Sequence, residues 1–294
     1  MASARCTFSS DNMVIKSPND SRLYRLIELD NGLQALLIHD PEIYPDGPPK
    51  TLENGEQVDE ENDDDAEGSE EEEEEEEDED EDEDDEEDED EEDEDEDEEV
   101  KEKGKKGSSS QTKKAAAAMC VGMGSFSDPF EAQGLAHFLE HMLFMGSTEF
   151  PDENEHGGSS NAYTESEHTC YHFEVKREFL KGALRRFSQF FVSPLVKIEA
   201  MEREVLAVDS EFNQVLQNDA CRLQQLQCHT AAPGHPFKRF SWGNNKSLVD
   251  AMEKGINLRE QILKLYGDYY HGGLMKLVVI GGDLGGLVVM EVLQ

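Results

Sequence analysis

The sequence predicts an α+β fold: a mixed, mainly antiparallel sheet with packed helices, interrupted by a disordered acidic insertion. Three observations predict it. An Asn-Gly dipeptide separates two apolar, roughly alternating runs, a strong short-range hairpin signal. Further on, an apolar stripe of helical period stands between segments of strand character. Between these regions the composition changes abruptly. Every residue from Glu70 to Glu99 is Asp or Glu, and residues 59–99 hold 37 acids in 41 positions with no Lys or Arg. The other 253 residues carry 33 acids and 26 bases, so the net charge of −44 falls to −7 outside the tract. Such a polyanion cannot bury apolar surface and repels itself, so alone it is expected to be disordered.

Residues 1–20 read as a flexible leader. Residues 21–48 read as the first hairpin, with Tyr24–Leu29 and Leu33–Ile38 flanking the Asp30-Asn31-Gly32 turn. Residues 49–114 form the acidic insertion, which closes in a basic, Ser/Gly-rich stretch from Lys101 to Lys114. Loop-closure cost grows slowly with length, so one sheet can tolerate an insertion of this size. Residues 115–294 then resume the domain. Ala115 to Gly124 is small and apolar, as in a buried strand of the same sheet. Gly134 to Met145 reads as a helix, because Leu135, Phe138, Leu139, Met142 and Leu143 make a core-facing stripe. Gly157 to Thr164 is Gly/Ser/Asn-rich, and His168 to Val175 alternates like a strand. Leu195 to Ala232 reads as one or two helices, Gly234 to Asn245 as a loop, Leu258 to Tyr270 as a helix and Met275 to Ile280 as a buried strand.

Composition excludes several classes of function. No 18-residue apolar run exists, and Met1 to Lys16 lacks the apolar stretch of a secretory signal. The charge argues against nucleic acid and anionic membranes as partners. Five scattered cysteines without a CxxC pair fit a reducing compartment, and the expected location is the cytosol.

The chemistry concentrates in His137-Phe138-Leu139-Glu140-His141. Two imidazoles four apart on one helix face can bind one tetrahedral zinc, and Glu140 on that face can take a proton from water activated there. This is the HxxEH pattern of zinc peptidases, although with nine histidines a chance match is conceivable at the level of a few per cent. Catalytic zinc needs a third protein ligand. Glu204 and Glu211, two helical turns apart, are candidates, with an ordinary solvated helix face as the bland alternative. The remaining histidines read as surface or packing residues.

The segments Gly134–Gly146, Pro151–Asn154, Gly158–Thr164 and Glu204–Glu211, with the later Pro233–Phe237 and Trp242–Asn244, closely resemble the inverzincins of the pitrilysin and insulin-degrading enzyme family. The resemblance covers nearly the whole chain outside the acidic tract. It implies an incomplete first pitrilysin-type domain, because the family's enzymes are far longer, so the chain reads as truncated. It implies one zinc per chain, held by His137, His141 and Glu211. Glu140 is then the general base, and Glu204 a supporting catalytic carboxylate that orients the site. Residues 157–164 become an edge strand that pairs with substrate backbone at Asn161 and Ala162. One departure stands out: family members have about two more helical turns where Asn154-Glu155 here runs straight into His156-Gly157.

Two functions follow. The first is a zinc metalloendopeptidase cutting beside basic or dibasic residues, as does a family member with a similar acidic insertion, with the tract gathering cationic substrates. The second is an impaired fragment acting as a polyanionic binding module for basic proteins or polyamines. Expected partners are basic peptides or proteins, and a complementary C-terminal half or another subunit.

Overall fold

Seven strands build one mixed sheet, described here from a computed structural model covering residues 14–43, 114–151 and 159–281, together with the backbone of 6–9. In chain order the strands are β1 (Cys6–Ser9), β2 (Leu23–Leu29), β3 (Gln34–His39), β4 (Lys114–Val121), β5 (Ser159–Thr164), β6 (Thr169–Lys176) and β7 (Met275–Gly281). The helices are α1 (Leu135–Leu143), α2 (Leu180–Gln189), α3 (Ile198–Val215), α4 (Asp219–Thr230), α5 (Asn245–Glu253) and α6 (Leu258–Tyr269). The sheet order is β1-β2-β3-β7-β4-β6-β5. Every neighbouring pair is antiparallel except β3 and β7, which run parallel. The fold is therefore α+β, as the sequence predicts.

The hairpin forms where Asn31-Gly32 places it. Gly32 adopts φ +86°, a left-handed conformation with little steric cost for glycine, and Asn31 Oδ1 accepts the Leu33 N–H at 3.0 Å. In β4 the residues Ala115, Ala117, Met119 and Val121 alternate into the core. Helix α1 lies on this sheet with Leu135, Phe138, Leu139, Met142 and Leu143 all buried, and it packs against α3, α6 and β5. Each large apolar side chain buried this way contributes about 1.5–3 kcal/mol, which anchors the helix that carries the HxxEH residues.

The structure corrects or refines the sequence reading at several places, each for a physical reason. The expected leader 1–20 is corrected at Cys6–Ser9, whose backbone pairs with Ile27–Leu29 and satisfies donors and acceptors on the outer side of β2. Strand β7 sits between β3 and β4, a non-local pairing that residue periodicity does not encode. Of the one or two helices expected from Leu195 to Ala232, two form, parted at residues 216–218, where the Asn218 side chain caps α4. Helices α2 and α5 arise in stretches to which no element had been assigned. The acidic insertion, apart from Lys114, and the short 154–157 connection lie outside the described residues.

Candidate metal centre

Helix α1 delivers His137, Glu140 and His141, and α3 delivers Glu204 and Glu211. His137 Nε2 lies 3.5 Å from Glu211 Oε2, and His141 Nε2 lies 3.5 Å from Glu211 Oε1. One ligand atom from each of His137, His141 and Glu211 falls within 4.8 Å of the others. The far side of each ring is engaged. His137 Nδ1–H donates to the Trp242 carbonyl at 2.6 Å, and His141 Nδ1–H faces Glu204 Oε2 at 3.4 Å. Both partners are pure acceptors, so the proton belongs on Nδ1 and the lone pair on Nε2 turns toward Glu211. Glu204 is buried, 7% exposed, and its other oxygen accepts from Arg203 Nε at 3.0 Å. Two neutral imidazole nitrogens and one carboxylate oxygen, converging with a side left open, make a donor set that fits zinc.

Glu140 is also buried, and Thr164 Oγ1 at the end of β5 donates to its Oε2 at 2.5 Å. Burial raises the Glu140 carboxyl pKa, opposed by that hydroxyl and the two imidazoles. Glu211 moves the other way: when a proton occupies Nε2 of His137 or His141, the hydrogen bond it makes holds this carboxyl well below the usual carboxylate range. Burial opposes the His141 cation, but Glu211, Glu140 and Glu204 outweigh it and raise its pKa. A cavity of about 760 Å³ opens over these groups, lined also by Phe212, Trp242 and residues 160–165. Asn161 and Ala162 are in its wall. Asn161 Oδ1 accepts the Ala162 N–H at 2.9 Å, which covers that donor on the free edge of β5.

The structure thus brings together all seven candidate residues. Three others had not been given roles. Asp128 accepts the Gly134 N–H through Oδ2 and the Ala136 N–H through Oδ1, each at 2.7 Å, and so caps the helix that carries the ligands. Asp128 stands immediately before Pro129, at the turn ahead of the helix, which was the available signal. Thr164 carries no sequence mark of its partnership with Glu140. Trp242 acts through its backbone carbonyl, which residue type cannot reveal.

Residues 107–235 match the insulinase family, peptidase family M16. The chain is 77% identical over 290 residues to the nardilysin-like protein of Arabidopsis thaliana, covering 96% of this chain and 28% of that protein. Residues 107–235 thus carry an insulinase-family domain. It is also 36% identical to the insulin-degrading enzyme of Mus musculus, over 95% of this chain and 22% of that enzyme. The crystal structure of pitrilysin superposes with a TM-score of 0.69 at 27% identity, over 97% of this chain and 24% of that one. The chain thus spans roughly a quarter of the length of these relatives. The domain match makes the chain a relative of metallopeptidases, and the His137–His141–Glu211 grouping suits their zinc. Among the described residues, no helix is long and apolar enough to cross a membrane.

Proposed function

We propose that this chain supplies the zinc-binding site of a metalloendopeptidase that hydrolyses peptides beside basic residues. The observation that carries the reading is the convergence of His137 Nε2, His141 Nε2 and Glu211 with Glu140 alongside, at the foot of a cavity bordered by a free strand edge. Zinc at this site supplies Lewis acidity toward a peptide carbonyl and toward water. His137, His141 and Glu211 would hold it, with Glu204 and the Trp242 carbonyl keeping the two rings turned to the site. Glu140 takes a proton from the attacking water and delivers it to the leaving amine. Its hydrogen bond from Thr164 holds one oxygen, Oε2, while Oε1 remains available for that proton. The β5 edge holds the substrate extended by strand addition, displacing the Asn161 amide from the Ala162 N–H.

The preference for basic or dibasic sequences draws on the likeness to the nardilysin-like protein and on the acidic tract, which would concentrate cationic peptides. The partners in this reading are basic peptides or proteins, and a complementary C-terminal half or second subunit that closes the cavity. The cytosol is the proposed location. The polyanionic-module alternative with a vestigial metal site is disfavoured by the intact orientation of both imidazoles.

The test is direct. Glu140→Gln should retain one zinc per chain and lose hydrolysis of a dibasic peptide, because an amide cannot accept the proton. His137→Ala/His141→Ala should lose the zinc. Full zinc retention by the double variant, read by elemental analysis, overturns the ligand assignment, and zinc loss in Glu140→Gln would make Glu140 a ligand.

A further inference from the structure

A second cavity, of about 430 Å³, opens beside the metal cavity and shares Phe144, Ser160 and Asn161 with it. This volume lies within the range of pockets that bind small ligands, about 300–1,000 Å³. Six phenylalanines line it, Phe144, Phe150, Phe173, Phe179, Phe187 and Phe190, with His172, Glu174, Glu178 and Arg186 among the polar residues of the wall. Phe179 is 58% exposed, so a large apolar side chain stands open to water at this place. The Arg186 guanidinium lies 4.7 Å from the centre of the Phe150 ring and packs that side of the wall.

The occupant can be argued from two facts. Residues 152–158, which connect the Phe150 side of the cavity to Ser159, read Asp-Glu-Asn-Glu-His-Gly-Gly, with no apolar side chain suited to a phenylalanine-lined hollow. The cavity also borders the metal cavity along the edge strand β5, where both are lined by Ser160 and Asn161. A peptide added to that edge therefore passes over both. On β5, Ser160 is the register partner of Phe173 and Ala162 of Tyr171, so Ser160 and Ala162 face the helix-covered side of the sheet. In an added strand, side chains alternate between faces, and those on one face are two residues, or about 6.5–7 Å, apart.

We infer that this cavity is a second side-chain subsite of the peptide groove, and that it takes an aromatic residue two positions along the peptide from the one seated against Ala162. The inference rests on the peptide-binding part of the proposed function. It commits to an apolar, aromatic preference at one position, beyond the basic preference near the metal, with the adjacent positions facing away and indifferent.

The experiment uses the full chain with zinc, carrying Glu140→Gln to block turnover. Ten-residue peptides with an Arg-Arg pair and a single Phe moved through otherwise Ala positions are titrated by fluorescence anisotropy. One Phe position should bind about tenfold tighter than the all-Ala parent, and its two neighbours should not. Gly182→Leu should abolish that gain and leave the parent peptide unchanged. Gly182 lines the cavity, a Cβ there meets only the end of the Arg186 side chain at 3.6 Å, and Leu favours the helix over Gly. Phe179→Ser, at an exposed position, should reduce the gain severalfold and provides a second variant independent of α2 packing. Equal binding at every Phe position, a gain that survives both substitutions, or no peptide binding overturns the subsite. Hydrolysis by the unsubstituted chain without the positional gain removes the subsite and leaves the proposed function standing. A positional gain without hydrolysis does the reverse.

Discussion

His137 and His141 are held by acceptors of different kinds, and this difference can be tested. His141 leans on the Glu204 side chain, whereas His137 leans on a backbone carbonyl that no side-chain substitution removes. Glu204→Ala should weaken zinc affinity by about 10–100-fold while leaving all three ligands in place, measured by competition with a chelator. Undiminished affinity would show that the 3.4 Å contact to His141 does not orient the ring. Asp128 offers a second residue-scale test. Burial pushes its carboxyl up to about 7, against the pull of the Ala136 and Gly134 N–H groups. A folded-state pKa above the unfolded value means that the folded protein binds this proton more tightly. The group's contribution to stability is therefore full below about pH 4, declines as pH rises toward 7, and is flat above. Asp128→Ala leaves two helix N–H groups without an acceptor and should cost about 1–3 kcal/mol near pH 5. The gap from wild type should narrow by pH 8, read by denaturant titration at both values. A gap that widens with pH would mean that the carboxylate is ionised throughout and acts purely as a cap.

At the scale of elements, the metal site depends on a close crossing between the start of α1 and the loop after Trp242. Gly134 has φ +89°, and a Cβ on it would lie 2.2 Å from Gly243 Cα. The two glycines sit back to back, and this brings the Trp242 carbonyl to His137. Gly134→Ala must displace that loop, so it should destabilise the fold by more than 2 kcal/mol and weaken zinc binding in the same variant. Gly255→Ala is the control. It shares the positive φ at +85° but meets nothing within 4 Å, so only the roughly 1–2 kcal/mol backbone cost applies and zinc affinity should not move. Equal effects of the two substitutions would remove the crossing as a determinant. The same elements show what the sequence could reveal. The Asn31-Gly32 hairpin and the α1 stripe were legible because turn chemistry and periodicity are local. The candidate ligand set was legible because i, i+4 spacing on α1 and two-turn spacing on α3 are each local, although only the resemblance joined them. Helix α2 was missed despite Leu180, Leu184 and Phe187 at i, i+4 and i+7, because Gly182 interrupts the pattern and it follows β6 without a breaker. Helix α5 is nine residues long and starts at an Asn244–Ser247 capping box with Ser where Glu or Gln is usual. The contacts of Trp242 and Thr164 cross 105 and 24 positions of chain, and no window along the sequence contains the first of them.

At the scale of the whole molecule, the strand ends that flank the acidic segment and the candidate metal site lie at opposite ends of the sheet. The chain leaves the sheet after His39 and re-enters at Lys114, the register partner of Lys176. Glu140 bonds Thr164, whose neighbours across the sheet are Thr169 and then Val121, at the other end of β4. At about 3.3 Å per residue, the eight residues of β4 separate the two ends by roughly 23 Å. Charges fixed at the anchors would be felt at the metal only where the Debye length is comparable, about 30 Å at 0.01 M salt but 10 Å at 0.1 M. Residues 59–99 carry one alanine among their acids, so the tract's expected contribution is a field that gathers cations, separate from the chemistry at Glu140. Deleting 59–99 should therefore preserve zinc content and thermal stability. The deletion should weaken binding of a dibasic peptide at low salt and make little difference at high salt, while a neutral peptide remains indifferent throughout. Titration of both peptides against both proteins across a salt series measures this. A steeper salt slope for the intact chain, seen with the dibasic peptide alone, is the expected result. Equal slopes would mean that the tract does not recruit substrate, and its 37 carboxylates would then require a basic partner that binds away from the metal.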